Sequence, residues 1–216
     1  MVRVKVCGIT SVVAARQASD AGVDAIGLVF YEPSSRNLPD MSVARDIAMA
    51  VGPFVTTVGL FVNADRTFID DILRQVPINL LQFHGDEPDQ FCSSFSRPYI
   101  KAIRMRPELD VDSEIQKYPG SVGVLLDAYR RGTPGGTGEC FDWSRVPRQS
   151  HRAIVLAGGL NPSNVSDAIA ETQCWGVDVS GGVESSAGVK SPELVSQFVK
   201  RAKVNEYPLN SKREFL

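Results

Sequence analysis

The chain has 216 residues, of which 43% are hydrophobic and 22% charged, with a formal net charge of −2. That balance describes one ordinary globular domain; it offers no basic stripe for nucleic acid and no apolar run near the ~18 residues of a membrane span. Cys7, Cys92, Cys140 and Cys174 form no C-x-x-C pair, and His84 and His151 are the only histidines, so neither a disulfide framework nor a zinc site is supported.

The segment from Met1 to Val6 alternates as a strand and lacks the pattern of a signal peptide, so a cytoplasmic location is expected by default. Strand-like runs follow at 3–7, 25–30, 54–62, 79–83, 99–103, 122–127, 153–156 and 175–179. Amphipathic stretches at 11–20, 41–51, 66–75, 88–95, 112–118, 162–171 and 192–203 alternate with them, and a weakly marked helix is expected after Phe141. Asn161 before Pro162, and Ser191 before Pro192, read as N-caps followed by a proline at the first helical position. Eight strand-helix units make a single α/β domain over 1–203, a (β/α)8 TIM barrel, with 204–216 as a loose C-terminal tail.

Two glycine-rich turns close the alternation: Ala157-Gly158-Gly159-Leu160-Asn161-Pro162-Ser163 and Asp178-Val179-Ser180-Gly181-Gly182-Val183-Glu184. Each follows a strand and precedes a helix-start signal. Glycine admits close backbone approach, and the helix N-terminus adds unpaired N–H donors, so these turns are expected to hold a phosphate through Gly158, Gly159, Ser180, Gly181 and Gly182. The ligand is then a small phosphorylated molecule.

Strand parity sorts the candidate chemistry, because alternate residues point into a barrel and active groups gather at strand C-terminal ends. In the first strand Val2, Val4 and Val6 must meet the helices, which turns Arg3, Lys5 and Cys7 inward. In the sixth, Gly123, Leu125 and Asp127 share a face; in the fourth, Leu80, Gln82 and His84 do, leaving His84 at the rim as a substrate contact or a capped strand end. His151 lies at the opposite end. An ammonium inside a barrel requires a partner, and closure puts the eighth strand beside the first, so Lys5 is expected to pair with Asp178.

Several strings together carry a specific resemblance: Val4-Lys5-Val6-Cys7-Gly8-Ile9-Thr10, Gly27-Leu28-Val29-Phe30-Tyr31 through Ser34-Ser35-Arg36, Val58-Gly59-Leu60-Phe61-Val62-Asn63, and Leu81-Gln82-Phe83-His84-Gly85. Leu125-Leu126-Asp127, Gly135-Gly136-Thr137-Gly138 with Phe141-Asp142-Trp143, and both glycine turns continue it in order. The chain resembles the phosphoribosylanthranilate isomerase family of tryptophan biosynthesis, departing where Ser180-Gly181-Gly182 replaces the family's usual Ser-Ser-Gly. The resemblance implies the Amadori rearrangement of N-(5'-phosphoribosyl)anthranilate to 1-(2-carboxyphenylamino)-1-deoxyribulose 5-phosphate. It implies Asp127 as the acid that opens the furanose ring and Cys7, as thiolate, as the base at ribose C2. Arg36 would hold the anthranilate carboxylate, with Gln82 and His84 as further substrate contacts. No metal or organic cofactor is called for, because the substrate's own iminium is the electron sink. Residues 132–138 lack the spacing of a nucleotide loop and are expected to form a lid over Asp127.

Other readings stay open at this level. A histidine-pathway aminoaldose-ketose isomerase would use carboxylates in both roles, and Cys7 argues against it. An epimerase would need a histidine-carboxylate metal set, whereas the two histidines face opposite ends. A catalytically silent phosphate-ligand barrel is the non-enzyme alternative, and both monomer and homodimer remain compatible.

Overall fold

The computed structural model describes residues 1–128 and 141–204. Eight parallel strands, β1 (Arg3–Cys7), β2 (Ala25–Phe30), β3 (Thr56–Phe61), β4 (Leu80–Phe83), β5 (Tyr99–Met105), β6 (Gly123–Ala128), β7 (Ala153–Leu156) and β8 (Gly176–Val179), close into a barrel in sequence order. Closure is made by β1 against β8, with Lys5 opposite Asp178 and Val6 opposite Val179. Helices α1 (Val12–Asp20), α2 (Met41–Ala50), α3 (Arg66–Gln75), α4 (Asp89–Cys92), α5 (Val111–Gln116), α6 (Val165–Thr172) and α7 (Pro192–Val204) return the chain between strands.

Local chemistry sets most helix starts. Ser11, Asp40, Asp65 and Asp110 each accept a hydrogen bond from a backbone N–H of the first turn, satisfying donors that have no partner within the helix. Ser191 does the same for Leu194, and α7 begins on Pro192 as its sequence signal requires.

The two faces of each strand separate as parity demands. Val4, Val6, Val124 and Leu126 are fully buried against the helices. Inside the barrel, Ile100, Ala102, Leu125, Val155 and Ala157 pack into one apolar cluster on the β5–β7 side, and Cys7, Val29 and Leu60 form another on the β1–β3 side. Lys5, Gln82, Asp127 and Asp178 are buried polar residues of the interior face.

Four expectations need correction. Asn161 does not cap α6: its side chain accepts from Ser163 N at 2.8 Å in a local turn, Asn164 takes the cap position, and the helix starts at Val165. After Phe141 the described chain forms only a 3-10 turn, Trp143–Arg145, and α4 spans four residues rather than the eight of 88–95. Beyond β8 the chain does not pass directly to a helix. A 3-10 turn, Gly181–Val183, leads into an antiparallel hairpin of β9 (Glu184–Ser186) and β10 (Val189–Lys190) before α7. The expected lid at 132–138, Cys140 and the tail beyond Val204 lie outside the described residues.

Candidate active site

Cys7 ends β1 on the inner face, and its neighbour across the β1–β2 ladder is Gly27. A Cβ at Gly27 would sit 2.6 Å from Cys7 Sγ, so glycine is what leaves room for the thiol. Beneath it Lys5 Nζ meets Asp178 Oδ1 at 2.9 Å, the interior ion pair expected from parity and closure. Burial pushes the Cys7 thiol above its ordinary value; Lys5 and Lys190 pull it down, Asp178 pushes it up, and the balance stays high. Two nearby ammonium groups, Lys5 and Lys190, favour its ionised form against that burial.

Asp127, near the C-terminal end of β6, is 5% exposed. Its Oδ2 lies 3.1 Å from His84 Nε2, and His84 Nδ1 lies 3.0 Å from Gln82 Nε2. Gln82 is wholly buried and His84 is nearly so, and the two side chains run in one line of contacts to Asp127.

The backbone around His84 is clamped from outside the barrel. Lys101 Nζ, on the opposite face of β5 from Ile100 and Ala102, donates to Phe83 O at 3.3 Å, Gly85 O at 2.6 Å and Glu87 Oε2 at 3.2 Å. Glu87 accepts in turn from Asn63 N and Gly85 N, and Arg104 Nη2 donates to His84 O. A fully buried Lys–Glu pair whose ammonium also reaches two carbonyls is well satisfied, so it fixes the β4 terminus firmly.

On the other side of Cys7 a second network spans the loop after β2 and the hairpin. Arg36 Nε and Nη2 donate to Glu184 Oε1 and Oε2 at 2.7 and 2.8 Å. Lys190 Nζ donates to Glu184 Oε1 at 2.7 Å and to Ser180 O at 3.2 Å, while Ser180 Oγ donates to Cys7 O at 3.0 Å. Two cations hold the Glu184 carboxyl down to about 2 despite its burial. Arg36 is placed as expected at the mouth, but one edge of its fork already serves Glu184. The Ser180 hydroxyl, expected to face a phosphate, is turned to Cys7 instead; its backbone amide and those of Gly181 and Gly182 remain the donor type the turn offers.

The two glycine turns come together. Gly158 and Gly159 have φ of 79° and 68°, a backbone region that favours glycine, and a Cβ at Gly182 would run into the carbonyl oxygen of Leu160. Glycine is thus required for the loops after β7 and β8 to pack against each other.

Glu184, Lys190, Lys101 and Glu87 were not singled out from the sequence. Glu184 stands inside a family-like string, and Lys101 is a charge inside an apolar strand, which is the signal that a partnered buried residue leaves.

Comparison with known proteins agrees with this geometry. A family model described as N-(5'phosphoribosyl)anthranilate (PRA) isomerase matches residues 4–201. The N-(5'-phosphoribosyl)anthranilate isomerase of Cellvibrio japonicus is 56% identical over 209 residues, 97% of each chain. The solved phosphoribosyl anthranilate isomerase of Thermotoga maritima superposes with a TM-score of 0.86 at 38% identity, covering 94% of this chain and 99% of that one. Another, in complex with reduced 1-(o-carboxyphenylamino)-1-deoxyribulose 5-phosphate, gives 0.83 at 38% identity over the same shares. A match that runs through the whole barrel, including both candidate proton-transfer positions, leaves one conclusion: this chain belongs to the N-(5'-phosphoribosyl)anthranilate isomerase family.

Proposed function

We infer that the chain performs the Amadori rearrangement of N-(5'-phosphoribosyl)anthranilate in tryptophan biosynthesis, with Asp127 as acid and Cys7 as base. The observation that carries the reading is the placement of one carboxyl and one thiol, each with its own supporting network, inside the C-terminal mouth of a single barrel. Asp127 gives its proton to the furanose oxygen as the ring C–O bond breaks, leaving an open-chain iminium. Cys7, as thiolate, takes the proton from C2, and the C2–H electron pair moves into the iminium to give an enolamine, which tautomerises to the ketose. Such a sequence requires one proton donor and one proton acceptor, and the ammonium groups of Lys5 and Lys190 favour the ionised Cys7 that accepts.

The phosphate of the substrate lies on backbone N–H groups around Gly158, Gly159, Gly181 and Gly182. The anthranilate carboxylate meets the edge of Arg36 that Glu184 leaves. A cytoplasmic location and action on a small phosphorylated molecule complete the reading; among the described residues no helix is long and apolar enough to cross a membrane. A monomer and a homodimer are both compatible with this reading.

Loss of anthranilate-ribose fluorescence on adding the chain to N-(5'-phosphoribosyl)anthranilate tests the reaction. Binding without fluorescence loss would support the silent barrel instead, and turnover of a histidine-pathway aminoaldose alone would support that isomerase.

A further inference from the structure

Gln82 Oε1 is buried and, among the described residues, has no hydrogen-bond partner. Its cross-strand neighbours on the inner face are Leu60 and Ile100, which have nothing to donate. A buried orphan acceptor is unfavourable, and at a functional site it calls for a physical reason. The other end of the same amide supplies one.

We propose that Gln82 is a positioning residue that sets the tautomer of His84 and, through it, the oxygen of Asp127 that carries the acidic proton. This rests on the reading of Asp127 as the acid. Gln82 Nε2 is a donor only, so its 3.0 Å bond to His84 Nδ1 requires a lone pair there. The proton of the neutral imidazole is then on Nε2, and it is donated to Asp127 Oδ2 at 3.1 Å. Because Oδ2 accepts, a protonated Asp127 carries its hydrogen on Oδ1, away from His84 and available to a substrate. After the proton has left, the same Nε2–H stabilises the carboxylate through a charge-assisted bond.

Rotating the Gln82 amide by half a turn would bring Oε1 to His84 Nδ1 and give it a donor. Nδ1 would then hold the imidazole proton, Nε2 would become an acceptor, and Asp127 would donate from Oδ2 into the ring. The acid's proton would be trapped against His84. The orphaned Oε1 is the counterpart of keeping that proton free. Among the described residues, Arg104 reaches His84 through its carbonyl and Lys5 is bonded to Asp178, so neither cation competes for the ring.

The test is nitrogen-15 NMR of ring-labelled histidine, read alongside steady-state kinetics. With two histidines in the chain the spectrum is simple to assign. Neutral His84 with its proton on Nε2 is expected. Gln82→Glu, at a pH where the new carboxyl is ionised, presents only acceptors, so Nδ1 should gain a proton and kcat should fall about ten- to a hundredfold, with KM changed less than about twofold. His84→Gln, whose amide N–H can replace Nε2–H, should keep more kcat than His84→Leu. A wild-type proton on Nδ1 would overturn the proposal, as would Gln82→Glu that protonates Nδ1 without lowering kcat, or that raises KM alone. Should Gln82→Glu not fold, the wild-type tautomer and the His84→Gln against His84→Leu comparison still decide. Absence of wild-type turnover would strike the assigned reaction and leave the tautomer measurement standing.

Discussion

Replacing Lys5 by methionine keeps the stem that fills the barrel and deletes the ammonium, so it isolates the charge. In the native chain Lys5 Nζ is 2.9 Å from Asp178 Oδ1, and the two side chains are 7% and 9% exposed. Asp178 holds the Lys5 ammonium above its ordinary value even against burial. Without the ammonium, Asp178 is a buried carboxylate with its attractive partner gone and Asp127 still within electrostatic reach. Removing one member of such a pair costs about 3–5 kcal/mol. At about 2–4 °C per kcal/mol for a domain of this size, Tm should fall by roughly 6–20 °C. The orphaned carboxyl escapes part of that cost by taking a proton, which gives the prediction a sign. Its folded pKa in the variant lies above the unfolded value of about 3.9, so the variant's stability declines as pH rises from there through the folded value. Urea denaturation at pH 5 and pH 8 should therefore show a larger loss at pH 8. The same deletion removes the ammonium that most favours Cys7 ionisation, so the alkaline rise of kcat/KM should move to higher pH. Equal stability of variant and native chain at pH 8, or an unmoved alkaline limb in a folded Lys5→Met, would refute the reasoning.

Cys7→Ala and Asp127→Asn should each lower kcat by about 10²–10⁴-fold with little change in KM, since each removes a proton transfer and not a binding contact; near-native kcat in either would sink the assignment. Arg36→Met should act mainly on KM for the anthranilate substrate, measured by the same fluorescence decay, and a pure kcat loss would speak against a carboxylate contact. Glu184 has a depressed folded value of about 2 against an ordinary 4.5, so its contribution to stability is present above about pH 4.5 and is lost as pH falls towards 2. Acid titration of a folded Glu184→Gln variant should lack that component, and an identical acid profile would remove the Arg36–Glu184–Lys190 network from the account. A crystal grown with inorganic phosphate should show the anion at Gly158, Gly159, Gly181 and Gly182; finding it at the other end of the barrel would overturn the site.

What the sequence made legible follows from rules that act over short distances or are fixed by topology. Parity on β1 placed Cys7 and Lys5 inward, and closure of the barrel placed Asp178 beside Lys5, so a contact between residues 173 positions apart was derivable. The Asp127–His84 bond was not derivable in that way. It crosses from β4 to β6 over the intervening strand, and only the rotamers of both side chains decide whether they meet. Glu184 and Lys190, which join Arg36 in one network, escaped for another reason: both stand in a hairpin inserted after β8, where the alternation of strand and helix gives no guidance. Asn161 was misread because its short side chain can bond its own local backbone, and that turn won over the helix cap.

The site keeps its charges in pairs, and this explains how an acid and a base can share one mouth. Each ammonium near Cys7 is matched by a carboxylate, Lys5 by Asp178 and Lys190 by Glu184. A bare ammonium against Asp127 would hold that carboxyl ionised and remove the acid, whereas bare carboxylates beside Cys7 would forbid the base. Pairing confines each field to its near neighbours. Cys7 then experiences Lys5 and Lys190 at close range, while Asp127 meets an imidazole, His84, whose far nitrogen is held by Gln82. The base is tuned by charge and the acid by hydrogen-bond direction, and the two adjustments do not cancel because they act through different physics.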